Sequence, residues 1–123
     1  MIKNVGVITQ AIVNLLGLSC TANTPILLGP SNIQHMKSSH PSDYQKYSPY
    51  ISAILSSPDY VGINNADSSI EYVKEFIQDN NYVKVAVRVS ASGQYFARSI
   101  YVLNTNRVNN FIAKGTLKKF DKI

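Results

Sequence analysis

The chain has 123 residues, 45% of them hydrophobic and 15% charged, with a formal net charge of +5. That is enough for one domain with a modest hydrophobic core, and it excludes a disordered chain. A single cysteine, Cys20, excludes an internal disulfide and points to a reducing, cytoplasmic setting and a structural thiol.

No run of about 18 apolar residues occurs, so no membrane span is expected. Charge is divided unevenly. Residues 1–83 carry four basic side chains against six acidic ones, and residues 84–123 carry eight against one. A basic half on one small domain favours a polyanionic partner, most simply nucleic acid; a tail that only aids solubility is the alternative. Eight tyrosines suit a binding surface, and they suit strands as well.

In chain order, Ile2 to Val7 reads as a short strand. Ile8, Ala11, Ile12, Leu15 and Leu16 recur at helical spacing, and Gly17 is a natural stop. These opening residues resemble an export signal in outline. Asn4, Thr9, Gln10 and Asn14 interrupt the apolar stretch, so they are assigned to the domain. "TPILLG" reads as a strand, broken by Gly29-Pro30. Ser31 is a good N-cap for a helix to about Ser39, and Pro41 forces His40 out of helical geometry. Ser48-Pro49 repeats the cap-then-proline signature before a second helix, "YISAILSS", which Pro58-Asp59 stops.

The pattern then changes. "SIEYVKEFI" fits helix or strand, and the Asp79-Asn80-Asn81 turn favours strand. "YVKVAVRVS" alternates strictly, with Val83, Val85, Val87 and Val89 on one side and Lys84, Ala86, Arg88 and Ser90 on the other. "SASGQ" is a turn and "YFARSIYVL" the partner strand of a hairpin. "NRVNNFIAKGTLKKF" is a closing helix or turn before a basic tail. The expected fold is α+β, a single domain over residues 1–123, with N-terminal helices packed on a three- to four-stranded antiparallel sheet. The valines face the helices, and Lys84 and Arg88 face water or a ligand.

Two histidines and one cysteine, with no HExxH or CxxC, argue against a metal site. The scattered glycines form no phosphate cradle, and no GxSxG turn presents a serine. No cofactor is expected. What remains is a polar constellation: His35, His40, Lys84, Arg88, Arg98, Ser99 and Tyr101. Cleavage of RNA by its own 2′-hydroxyl uses such groups, a base for the 2′ proton, an acid for the leaving oxygen and a cation for the charged phosphorane. Two histidines five positions apart on an ideal helix point about 140° from one another, so both face one substrate only if the helix ends before His40. By alternation Ser99 and Tyr101 share a strand face. Arg98 points to the other, among Phe96, Ile100 and Val102, and needs a partner such as Asp59 or Glu71. Each group also has an ordinary alternative: a surface or capping histidine, the solvated side of a sheet, a core tyrosine.

The order "SNIQHMKSSHPSDYQKY", "ILSSPDYVG", "SIEYVKEF", "YVKVAVRVS" and "FARSIYVL", spanning about residues 26–118, resembles the phage-associated branch of the barnase–EndoU–colicin–RelE-like nucleases. The resemblance implies N-terminal helices beside a four-stranded antiparallel sheet, and a metal-independent endoribonuclease of the toxin or phage-effector kind. Residues 1–25 lie outside it. His35 and His40 match the helical histidine positions, Arg88 the basic strand position with Lys84 second, and Ser99 the small hydroxyl of the last core strand. Tyr101 completes a Ser-x-Tyr similar to the EndoU arrangement. The glutamate base of barnase has no placed equivalent; Glu71 and Glu75 lie on the ambiguous segment.

The resulting expectation is a cytoplasmic endoribonuclease that leaves a 2′,3′-cyclic phosphate. His35 and His40 exchange protons, Arg88 stabilises the phosphate, and Ser99 and Tyr101 bond to it. Lys84, Arg98, Lys114, Lys118 and Lys119 bind RNA. The implied partners are RNA, transfer RNA included, and an antitoxin or immunity protein, with no DNA specificity. The alternative is an inactive module of the same fold that binds RNA or a protein, for example an inhibitor of a host nucleic-acid enzyme.

Overall fold

A computed structural model describes residues 1–120. The strands are β1 (Lys3–Ile8), β2 (Thr24–Leu28), β3 (Tyr60–Ile63), β4 (Ile70–Phe76), β5 (Asn81–Val89), β6 (Tyr95–Leu103) and β7 (Leu117–Lys119). The α-helices are α1 (Gln10–Leu16), α2 (Pro30–Ser39), α3 (Pro41–Tyr47), α4 (Ile51–Ser56) and α5 (Thr105–Ala113). The expected α+β class holds, but the sheet is larger than the expected three or four strands. All seven described strands join one sheet in the order β1-β2-β6-β5-β4-β3-β7. Nor is it purely antiparallel: β2 runs parallel to β6, pairing through Ile26 and Leu27 with Tyr95 and Phe96. Helix α2 follows β2 directly and lies along the rest of β6.

The alternation of β5 holds through Val87, but Val89, expected on the same buried side, is 48% exposed at the end of the strand. Val83, Val85 and Val87 are fully buried in the main core with Ile8, Ile12, Ile26, Ile54 and Ile100. Helices α1 and α4 cover this face, and α2 and α3 send Met36 and Tyr47 into it. The opposite face is not simply solvated. At its β7 end, α5 buries Val108 against Val73, Leu103 and Leu117. Only the part nearer β6 is left for polar side chains.

Local signals explain most boundaries. Thr9 caps α1 and Gly17 ends it in the left-handed region at φ 65°. The N-cap of α2 is Gly29, not the expected Ser31. Pro30 takes the first helical position, where its missing N–H costs nothing, and the Gly29 N–H donates to Asn32 Oδ1 at 2.9 Å. His40 leaves helical geometry as expected, at φ −142° and ψ 69°. Pro41 then opens α3, a helix the sequence reading missed because it treated Pro41 only as a stop. Strands β3 and β7 were missed as well. With four and three residues, they are too short to show a period and exist through pairing with each other and with β4.

Candidate active site

Three rows of side chains cross the open part of the second sheet face. The β5–β6 register pairs Lys84 with Tyr101, Ala86 with Ser99, and Arg88 with Phe96. Directly paired residues share a face, so the register brings the Ser99 and Tyr101 face onto the side of Lys84 and Arg88. Arg98 does not follow alternation. Ala86 pairs with Ser99 while the next residue, Val87, pairs with Ala97, leaving Arg98 as the extra residue of a β-bulge. The bulge corrects the expectation that Arg98 turns away among apolar residues. It is exposed and lines one cleft with Arg88.

That cleft, about 450 Å³, lies between the N-terminal half of α2 and the end of the β5–β6 hairpin. His35, Ser31, Asn32, Gly29 and Phe96 complete most of its wall. His40 belongs to the next part of the strip. Its imidazole stacks on the Tyr101 ring, with centroids 4.6 Å apart and planes 22° from parallel. The two histidines are separated by about 7.5 Å of helix rise. Because α2 ends at Ser39, the 140° divergence of an ideal helix does not apply, and both histidines meet the same sheet face.

The floor of the site is an ion pair. Lys84 Nζ donates to Glu71 Oε2 at 2.7 Å, and both side chains are about nine-tenths buried. Lys84 Nζ also lies 4.8 Å from the centre of the Tyr101 ring. Burial works to lower the Lys84 pKa, but the bonds to Glu71 and the contact with Tyr101 outweigh it and hold the ammonium above its usual range. Lys84 is therefore fixed beneath the site, which corrects its expected place as an open RNA contact. The pairing also corrects the suggestion that Glu71 partners Arg98. The other carboxylate suggested for Arg98, Asp59, accepts the Glu75 N–H at 2.7 Å.

Glu71 was left unplaced by sequence reasoning. Once its segment is a strand, pairing with Ala86 puts Glu71 on the Lys84 face. At the rim, Asp67 is held below the usual carboxylate range by the hydroxyl and amide of Ser69, helped by the charges of Arg88 and Lys84. Asp43 was also missed. Its Oδ2 accepts the Val102 N–H at 3.0 Å, an edge group of β6 beyond the short stretch paired to β2. This bond ties α3 to the sheet three residues after His40.

The distal lysines are not gathered here. Strand β7 lies four interstrand steps from β6, about 19 Å. Lys119 shares the site face through its pairing with Tyr60. Lys118 does not: its Nζ reaches the Leu15 carbonyl at 3.5 Å and, with Lys114, lines a separate edge cavity beside Leu16. Cys20 is a half-buried free thiol near the Tyr95 hydroxyl, away from the strip. Among the described residues, no three His, Cys, Asp or Glu side chains form a group that could hold a metal ion. No described helix is long and apolar enough to cross a membrane.

The sequence matches the phage-Barnase-EndoU-ColicinE5/D-RelE like nuclease3 family over residues 3–110. The match takes in β1, α1 and β2, so residues 3–25, placed outside the resemblance, lie within it, and it ends at residue 110 rather than about 118. No curated protein and no solved structure matched. With most of its length matched, and with histidines, arginines and hydroxyls meeting on one sheet face, the chain belongs to this family of phage-associated nuclease-like domains.

Proposed function

We propose that the protein is a metal-independent endoribonuclease and that the scissile phosphate lies over Ser99, between His35 and His40. The observation that carries this is the placement of both histidines, one in α2 and one just past its end, over a single strip that also holds Tyr101, Ser99 and Arg88. Their separation along α2 suits one imidazole on each side of a phosphate. One takes the 2′ proton as the 2′ oxygen attacks phosphorus, and the other protonates the 5′ oxygen as its bond to phosphorus breaks. Arg88 stabilises the charge that gathers on the phosphorane oxygens. Ser99 and Tyr101 supply neutral donors. Lys84 acts beneath them as a buried positive charge, fixed by Glu71.

DNA should not be cut, because it lacks the attacking 2′-hydroxyl. The test is incubation of purified protein with total tRNA and mixed RNA in EDTA, beside a folded His35→Ala/His40→Ala variant. Expected are products ending in 2′,3′-cyclic phosphate, formed despite EDTA and absent with the variant. Equal cutting of DNA, or activity lost with EDTA, would overturn the mechanism. RNA binding that survives the double substitution, without cleavage by either protein, would favour the binding-module alternative.

A further inference from the structure

We infer that the mouth of the cleft, at the N-terminus of α2, is a second phosphate subsite that takes the backbone phosphate one nucleotide from the cut. This rests on the RNA reading of the site; it adds Ser31 and Asn32 to it and gives Arg98, expected there only as a general RNA contact, a defined phosphate.

Three independent features meet there. The first is a helix start. Helix α2 has ten residues, and the Ser31 and Asn32 amides in its first turn precede the first intrahelical bond, Ile33 N–H to the Gly29 carbonyl at 3.1 Å. Such amides, with the helix dipole behind them, favour a phosphate. The second is Asn32, which is 9% exposed and lines the cleft. Its Oδ1 is occupied by the Gly29 N–H, and its Nδ2 makes no hydrogen bond among the described residues. An amide donor at the wall of a cleft can give its hydrogen bond to a phosphate oxygen. The third is the pair of exposed guanidinium groups on the opposite wall. The bulge brings Arg98 beside Arg88, and neither takes part in the Lys46–Asp79 or Lys84–Glu71 ion pair. Planar guanidinium groups match phosphate oxygens in bidentate fashion.

The position along the strip sets the ligand. Helix α2 crosses the sheet from the Arg88–Phe96 row, past Ser99, to the Lys84–Tyr101 row. A strand whose phosphate sits over Ser99 has a neighbouring phosphate directed either towards this mouth or away from it. Phe96 in the wall offers its ring to the intervening base.

Ligands without a 2′-hydroxyl separate binding from cutting. A deoxydinucleotide is titrated by calorimetry in three forms: unphosphorylated, 5′-phosphorylated and 3′-phosphorylated. One terminal phosphate should tighten binding on the order of tenfold, the worth of one or two charge-assisted bonds. Arg98→Gln should abolish that gain. Asn32→Asp should do so too: its carboxylate still accepts the Gly29 N–H, so the helix start is kept, while a negative charge enters the mouth. His40→Ala should keep the gain. Thermal melts verify folding of each variant. No gain from either phosphate, or an undiminished gain in Arg98→Gln, would overturn the subsite. A gain without RNA cleavage would overturn the ribonuclease and leave the subsite standing; RNA cleavage without a gain would do the reverse.

Discussion

His40 and Tyr101 lie ring on ring at 4.6 Å, although one follows the end of a helix and the other sits inside a strand. The stack holds the imidazole against the sheet and turns it over the row that contains Lys84. In the proposed mechanism Tyr101 therefore positions His40 as well as donating a hydrogen bond. His40→Ala should lower kcat on RNA by roughly 10²- to 10⁴-fold. Tyr101→Phe keeps the ring and should cost less than Tyr101→Ala. Ring-current shifts report the stack directly: the His40 ring protons should resonate at anomalous positions in the wild type and Tyr101→Phe, and return to ordinary ones in Tyr101→Ala. Equal kcat losses with unchanged shifts would sink the positioning role.

The Lys84–Glu71 pair should be costly to break and cheap to replace. Lys84→Met leaves a carboxylate buried and should destabilise the fold by about 3–5 kcal/mol, whereas Lys84→Met/Glu71→Leu should recover most of that loss. Denaturant titrations of the two variants check this. The pair also has a pH signature. Because the folded-state pKa of Lys84 is raised above 10.5, its contribution is fully present below pH 10.5 and is lost as pH climbs through the raised value. Burial raises the Tyr72 hydroxyl too, and its contribution fades in the same direction. The double variant should therefore show a shallower alkaline fall in stability than the wild type, but not a flat one.

Asp43 should matter to activity without touching substrate. Its bond to the Val102 N–H closes an edge group of β6 and pins α3 next to His40. Asp43→Ala should destabilise the protein by about 1–3 kcal/mol and lower kcat, with KM little changed. Asp43→Asn, which still presents an acceptor oxygen, should rescue most of both. A kcat loss in Asp43→Asn equal to that in Asp43→Ala would contradict a positioning role.

Gly62 tests the far edge of the sheet. A β carbon there would run into the Thr116 carbonyl, which is backbone and must shift. Gly62→Ala should loosen β7 from β3 and cost about 1–3 kcal/mol. Hydrogen exchange should localise the loss: amides of β3 and β7 exchange faster, and those of the β5–β6 hairpin do not.

Much of this molecule is legible locally. The valine alternation of β5, the Gly93 turn, the strand preference of the segment before Asp79 and the escape of His40 before Pro41 all follow from backbone preferences over a few residues. So does the sharing of one face by Lys84 and Arg88, and of one face by Ser99 and Tyr101, since alternation within a strand needs no knowledge of neighbours; that the two faces coincide is set by register. Pro41 shows how a correct local signal is half used: the proline that ends one helix also begins the next.

The tertiary structure decided what local preference cannot reach. Arg98 joins Arg88 only because one residue bulges out of the pairing with β5, and register is a relation between two strands. Glu71 finds Lys84 across a strand pair, and Asp43 finds Val102 across 59 positions of chain. The same long-range packing put β1 and β2 into the sheet and carried Lys118 to its other side. The sequence by itself determined which chemical groups the site could draw on, because composition and side-chain direction are local properties. Which of them meet was decided by strand order, register and the line of α2 across β6, which depend on burying one shared core.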